Sequence, residues 1–276
     1  MKRMIRWALV IAAVLFACAR GAGAAEEIPV TGKSEPGLVA FDRLMLDFLR
    51  ENQVPGGALA IARGGKIVYA RGFGFADVAK REAVDPDALF RIASVSKPFT
   101  SAAIMQLQER GKLKLDDPAF AMLGIEPHLA DGAKVDPRLA KVTIRQLLHH
   151  TGGFDRDVSF DPMFRSIEFA RAVGAKPPAG PKEIIRYMMG RPLDFDPGTR
   201  EVYSNYGYCV LGRVVEKASG LDYTSYVQRE ILKPLGIHRM RLGRTLPENR
   251  APGEVYYYPR GNERVESVFD DGKKVS

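Results

Sequence analysis

Hydrophobic positions recur at helical spacing early in the chain. Leu38, Phe41, Leu44, Met45, Phe48 and Leu49 fall three and four apart, and the pattern stops near Asn52, which predicts an amphipathic helix. The period then changes. Ala58–Ala62 and Ile67–Ala70 are short apolar runs on either side of Arg63-Gly64-Gly65-Lys66. A Gly-Gly pair between such runs predicts a hairpin, because both turn residues can adopt positive φ. Gly72, Gly74 and Asp77 are expected to break the second strand. A two-stranded hairpin cannot bury its face alone, so further strands are expected, and the C-terminal stretch supplies few.

From Phe90 the pattern turns helical. Phe99, Ala102, Ala103, Ile104, Met105 and Leu107 line a helix closed by Gly111 and followed by Asp117-Pro118. Thr143, with Gln146 three residues on, resembles a capping box for Ile144–His149. Asp155–Ala179 reads as a long, polar, partly structured excursion. Pro181–Gly190 is a short helix with Pro at its start and Gly at its end. After a Pro197-Gly198 turn come helices over Ser204–Ser219, stopped by Gly220, and over Tyr223–Leu232, before Pro234.

Of the 276 residues, 46% are hydrophobic and 27% charged, a profile that suits a folded chain with a sizeable core. Charge changes the picture more. The formal net charge is +8, but Lys2, Arg3, Arg6 and Arg20 supply half of it from a stretch without acids. The remaining Lys and Arg are scattered among acids, with no stripe to track phosphates, so no nucleic-acid partner is expected. Met1–Arg6 is basic, Trp7–Ala17 apolar and Ala22-Gly23-Ala24 small. That is the pattern of a secretory signal peptide, and the apolar run is too short to span a bilayer.

The expected organisation is a signal peptide over 1–24, a linker over 25–36 and one domain over 37–276, in a periplasmic or secreted protein. Leu15-Phe16-Ala17-Cys18 loosely resembles a lipobox. The alternative is therefore a lipoprotein anchored through Cys18, the one expected route to a membrane. Cleavage after Ala24 leaves Cys209 without an intrachain partner, and a buried small hydrophobe is its expected role.

No G-x-S-x-G, H-E-x-x-H, P-loop or C-x-x-C occurs. His128, His149, His150 and His238 lack metal-ligand spacing, and neither a metal nor a cofactor is expected. Ser94-Val95-Ser96-Lys97-Pro98 is more informative. Proline is tolerated only in a helix's first turn, so a helix should begin at Ser94 or just after. That puts Ser94 at the positive end of the helix dipole, with Lys97 on the same face one turn on. A nucleophile beside a cation at a helix N-terminus is an arrangement that activates a hydroxyl. The same residues also read as a capping serine and a solvated lysine.

Tyr203-Ser204-Asn205 places a phenol and an amide where a turn enters a helix. A Tyr near a Lys ammonium can have its proton loosened and serve as general base. An Asn can hold a substrate amide or the Lys side chain. A packing Tyr with a capping Ser or Asn is the other reading.

Together these segments resemble a family. Leu89-Phe90-Arg91-Ile92-Ala93-Ser94-Val95-Ser96-Lys97-Pro98-Phe99-Thr100 is similar to the nucleophile segment of the class C β-lactamase-like serine hydrolases. That family includes β-lactamases, DD-peptidases, D-aminopeptidases and esterases. The likeness continues through Gly111–Pro118, Leu147-Leu148-His149-His150-Thr151-Gly152-Gly153, Tyr203-Ser204-Asn205-Tyr206-Gly207-Tyr208, Gly212–Gly220 and Pro234-Leu235-Gly236. It runs from about Val39 to Leu242 in consistent order.

The resemblance implies an α+β (mixed α/β) fold of the β-lactamase and penicillin-binding-protein type, an antiparallel sheet plus an all-helical region. It implies that Ser94 is the acylated nucleophile, Lys97 its proton partner, Tyr203 the general base and then acid, and Asn205 a substrate-positioning amide. The Ser94 backbone N–H would supply half of an oxyanion hole. The implied partner is a small molecule or peptide with a scissile amide, lactam or ester.

The family's third element, Lys-Thr-Gly or His-x-Gly on a strand, has no counterpart after Asn205. His150-Thr151-Gly152 spells a similar tripeptide but precedes Tyr203, and it is expected to be a helix end and turn. Asp270-Asp271-Gly272-Lys273-Lys274 reads as a mid-domain turn, so the sequence suggests a member whose C-terminal strands are missing. The first functional expectation is a secreted serine hydrolase acting through Ser94. The second is a truncated or degenerate member that binds a ligand or partner without turnover.

Overall fold

A computed structural model of the chain describes residues 27–244 and 247–258, together with the backbone of 265–266 and 274–275. The expected signal peptide and Cys18 lie outside the described residues. The stretch expected to be a linker contains a strand, β1 (Val30–Thr31), paired antiparallel with Phe73 and Gly72. Val30 packs on the buried Leu49, Tyr69 and Phe73, and Thr31 Oγ1 donates to the Val84 carbonyl at 2.5 Å. These contacts hold a segment whose composition alone reads as loose.

Helix α1 (Val39–Asn52) follows, closed by Gln53 in the left-handed conformation at φ 53°. Strands β2 (Gly56–Arg63) and β3 (Lys66–Asp77) form the predicted hairpin, with Gly64 at φ 58° and Gly65 at φ 73°. Strand β4 (Glu82–Ala83) pairs with the end of β3, giving an antiparallel sheet of order β1-β3-β2 with β4 also on β3. The fold is mixed α/β with an antiparallel sheet, as the sequence implied. However, Gly72 and Gly74 do not break the second strand. They let neighbours approach instead: a Cβ at Gly72 would sit 2.0 Å from the Val84 carbonyl oxygen, and one at Gly74 2.2 Å from that of Pro55.

Phe41, Met45 and Leu49 of α1 face the sheet around Tyr69 and Phe73, whereas Leu44 and Phe48 are 61% and 49% exposed. The apolar stripe of the helix is thus wider than the surface it covers. Contacts divide the chain into two compact units where one domain was expected from residue 37. The first runs to Phe90 and includes Pro247–Tyr256. That returning segment accepts Leu89 N–H at the Gly253 carbonyl, donates Tyr256 N–H to Ala76, and packs Val255 on Ala76 and Val84.

The second unit is helical within Arg91–Leu246. A 3₁₀ turn (Ala93–Ser96) leads into α2 (Lys97–Glu109), followed by α3 (Ala119–Leu123) and α4 (Ile144–Leu148). The capping box forms: Thr143 Oγ1 accepts from Gln146 N–H at 3.2 Å, and Gln146 Oε1 accepts from Thr143 N–H at 3.0 Å. The 155–179 excursion contains a 3₁₀ turn (Pro162–Phe164) and α5 (Ser166–Ala172). The excursion is anchored by Phe169, fully buried and stacked on Tyr187 at 4.0 Å.

After α6 (Pro181–Met189) comes α7 (Asn205–Ser219), whose Val210, Leu211, Val214 and Val215 are fully buried. Each such burial contributes about 1.5–3 kcal/mol relative to exposure, so α7 is the axis of this core. Cys209, on α7, is a free cysteine of intermediate exposure, and burial pushes its thiol up to about 11, in keeping with the buried small hydrophobe expected. The helix expected over Tyr223–Leu232 is one α turn, α8 (Tyr223–Tyr226), running into a π-helical Val227–Leu232. Farther on, β5 (Val265–Glu266) pairs antiparallel with β6 (Lys274–Val275). The turn expected at Asp270–Lys274 lies outside the described residues up to Lys273.

Gly72→Ala should lower the unfolding free energy by about 1–3 kcal/mol, the cost of forcing a side chain into packed atoms. Gly37→Ala, where a Cβ meets nothing within 4 Å, should leave it unchanged. Equal urea midpoints for the two variants would contradict the close approach at Gly72.

Candidate active site

Lys97 is the first residue of α2, with Pro98 beside it where a missing N–H costs the helix nothing. Ser94 lies one turn earlier, in the 3₁₀ turn and not in the α-helix itself. The tighter i→i+3 winding common at helix ends replaces the predicted α start there. The turn is entered through Ala93 at φ 43°, a left-handed conformation that costs a residue with a Cβ about 1–2 kcal/mol. Ser94 emerges exposed, while Lys97 is half-buried.

Tyr203 and Asn205 arrive from the entry to α7, where Ser204 caps the helix by accepting Gly207 N–H at 3.0 Å. Lys97 Nζ donates to Ser94 Oγ at 3.2 Å, to the Tyr203 hydroxyl at 2.5 Å and to Asn205 Oδ1 at 2.7 Å. The Tyr203 hydroxyl in turn donates to Ser94 Oγ at 2.5 Å. An ammonium has three donors and no acceptor, and here it faces three oxygens. The structure therefore brings all four candidate residues into one cluster.

Burial works to raise the Tyr203 phenol, but hydrogen bonds with Lys97 and Ser94 and the charges of Lys97 and Arg156 outweigh it. The net direction is below the ordinary value of 10.0. Lys97 Nζ lies 4.5 Å from the Tyr203 ring centroid and the Arg156 guanidinium carbon 5.3 Å from it. A phenol among two cations can lose its proton at lower pH than tyrosine normally does.

Asn205 makes the contact with the Lys side chain, one of the two expected of its amide. Its Oδ1 holds Lys97, and its Nδ2 donates to Asp161 Oδ2 at 2.6 Å. Asp161 had no signal in the sequence beyond an acid before a proline.

His150 does stand at a helix end and turn, beyond α4 and at φ 59°. It also reaches the site. Its carbonyl accepts Val202 N–H at 2.8 Å and its Nδ1 accepts Ser204 N–H at 3.1 Å, pinning the chain on both sides of Tyr203. Its ring packs between Tyr203 and Tyr208, at 4.8 and 5.1 Å between centroids.

A family model described as Beta-lactamase matches residues 41–274. The chain belongs to the Beta-lactamase family. Penicillin-binding protein 4* of Bacillus subtilis (strain 168) is 31% identical over 217 residues, covering 78% of this chain and 44% of that protein. Among solved structures, the octameric penicillin-binding protein homologue from Pyrococcus abyssi is similar at 33% identity and TM-score 0.61, over 73% of this chain and 44% of that one. EstCE1, a hydrolase with promiscuous acyltransferase activity, is similar at 25% identity and TM-score 0.61, over 85% and 62%. The chain thus spans less than half the length of the first two. Members of the Beta-lactamase family are serine hydrolases acting on β-lactams, peptides or esters.

Burial, the Lys97 charge and His149 lower the His150 pKa from 6.5, with Glu201 opposing, and the neutral ring is the form whose Nδ1 accepts Ser204 N–H. As pH falls, the unfolded chain takes up this proton first. The contribution of His150 to stability is therefore complete above about pH 6.5 and is lost as pH falls through the lower folded value. Between about pH 7 and 5, the melting temperature of the native chain should fall more steeply than that of His150→Asn, since Asn tolerates left-handed backbone. Parallel slopes would contradict this role.

Proposed function

We propose that this chain is a serine hydrolase that forms an acyl-enzyme on Ser94. The observation that supports this most strongly is the single Lys97 ammonium within hydrogen-bonding distance of Ser94 Oγ, the Tyr203 hydroxyl and Asn205 Oδ1. The phenol of Tyr203, as phenolate, accepts the Ser94 proton. Ser94 Oγ then attacks the substrate carbonyl, and the Ser94 backbone N–H, at the start of its turn, faces the developing oxyanion. The C–N or C–O bond of the amide, lactam or ester breaks, and Tyr203 returns the proton to the leaving nitrogen or oxygen. Water, deprotonated by the same phenolate, attacks the acyl carbonyl; the bond between that carbon and Ser94 Oγ breaks, Tyr203 returns the proton to Ser94 Oγ, and the acid is released. The second N–H of Asn205 Nδ2 is left to orient the substrate. One oxyanion donor of this kind contributes about 3–4 kcal/mol to the transition state.

We further propose that the protein is exported, on the basic, apolar and small-residue succession over Met1–Ala24. Mass analysis of protein from an expressing bacterium should find a mature N-terminus at Ala25. Lipid mass on Cys18 would replace that cleavage with an anchor.

The reading is tested by intact-mass labelling with a fluorophosphonate and a penicillin, with circular dichroism to check folding. Ser94→Ala should remove the adduct, and Ser96→Ala should still be labelled. Tyr203→Phe should slow acylation by about 10²–10⁴-fold, the usual contribution of a general base. Equal labelling of Ser94→Ala and the native chain would contradict the assignment of the nucleophile. A folded native chain that takes no adduct would favour binding without turnover.

A further inference from the structure

The Asn205 side chain lies between two groups of opposite character. On one side is the Lys97 ammonium, which can only donate; on the other is the Asp161 carboxylate, which can only accept. Only one orientation of the amide satisfies both, with Oδ1 toward Lys97 and Nδ2 toward Asp161. The flipped amide would set N–H against ammonium and oxygen against carboxylate.

Asp161 is itself held in place. Its Oδ1 accepts Met163 N–H at 3.0 Å, capping the turn Pro162–Phe164, while its Oδ2 holds Asn205 at 2.6 Å. A cap needs only one carboxylate oxygen. The second forms a short, charge-assisted bond that does nothing for the turn and reaches the catalytic cluster.

We propose that Asp161 is a positioning residue for catalysis: it clamps the Asn205 amide and, through it, holds the Lys97 ammonium against Tyr203 and Ser94. This rests on the hydrolase reading for its effect on rate, but not for its geometry. By accepting from Nδ2–H, the carboxylate pushes electron density through the amide onto Oδ1 and makes it a better acceptor for the ammonium, as in any hydrogen-bonded chain. The chain runs Asp161, Asn205, Lys97, Tyr203, Ser94. It joins the excursion between α4 and α6, the start of α2 and the start of α7.

Asp161→Ser separates the two duties of this residue, since a serine can still cap the turn but is too short to reach Asn205. Asp161→Asn provides a second variant: its single acceptor oxygen must serve either Met163 N–H or Asn205, not both. Two measurements on the full chain decide the matter. The first is the rate of acylation by the fluorophosphonate, measured against reagent concentration. Asp161→Ser should slow the maximal rate by about 10²-fold, the effect of an ångström-scale displacement, with little change in half-saturating concentration. In an Asn205→Ala background, Asp161→Ser should cost nothing further. A full additional loss in that background would overturn the proposal, because Asp161 would then act by another route.

The second measurement is isotope-edited NMR of the Asn205 side-chain amide, assigned through its loss in Asn205→Ala. One of its protons should be shifted strongly downfield in the native chain and return toward the ordinary amide position in Asp161→Ser and Asp161→Asn. An unmoved resonance would overturn the clamp. This readout needs no turnover. A native chain that is never acylated would therefore count against the hydrolase reading, while the resonance would still decide the bond between Asp161 and Asn205.

Discussion

A lysine ammonium that is half out of water must find acceptors for all three of its protons, and the helical unit is arranged around meeting that demand at Lys97. Each acceptor comes from a different constraint. Ser94 is brought by a 3₁₀ turn entered through a left-handed alanine. Tyr203 is brought by the residues that lead into the Ser204 cap, and Asn205 is itself the first residue of α7. Because the three oxygens share one cation, they are drawn to within reach of each other. The serine hydroxyl and the tyrosine phenol then touch.

The backbone strain at this site is confined to a few residues. Ala93 and His150 are two of four non-glycine residues with positive φ among the described residues, and both flank the cluster. Each costs about 1–2 kcal/mol, set against a core in which α2 contributes Ala103, Ile104 and Leu107 and α7 contributes Tyr206, Val210 and Leu211, all at most 2% exposed. Strain of this size persists only where the surrounding packing leaves no relaxed alternative. The buried faces of α2 and α7 do this directly behind Lys97 and Asn205.

Local signals made much of this legible in the sequence. Gly64-Gly65 specified the hairpin, Thr143 with Gln146 the start of α4, and Pro98 the first turn of α2, because each acts within three or four residues of itself. Ser94, Lys97, Tyr203 and Asn205 were legible as a set only through the spacing of segments that resemble a known family. What stayed hidden depends on contacts far apart in the chain. The continuation of β3 through Gly72 and Gly74 follows from Val84 and Pro55 crowding the strand, which no strand propensity encodes. Asp161 meets Asn205 across 44 residues, and His150 meets Ser204 across 54. Pattern reading therefore identified His150 as the end of a helix and overlooked its ring.

The measurement that bears most directly on this account is the titration of Tyr203. It can be followed by NMR on a chain carrying ring-labelled tyrosine, with the signal assigned by its loss in Tyr203→Phe. If the Lys97 ammonium organises the site, Tyr203 titrates below the ordinary tyrosine value of 10.0 and moves upward in Lys97→Met. A Tyr203 that titrates at or above that value in the native chain, and is unmoved by loss of the ammonium, would contradict the account.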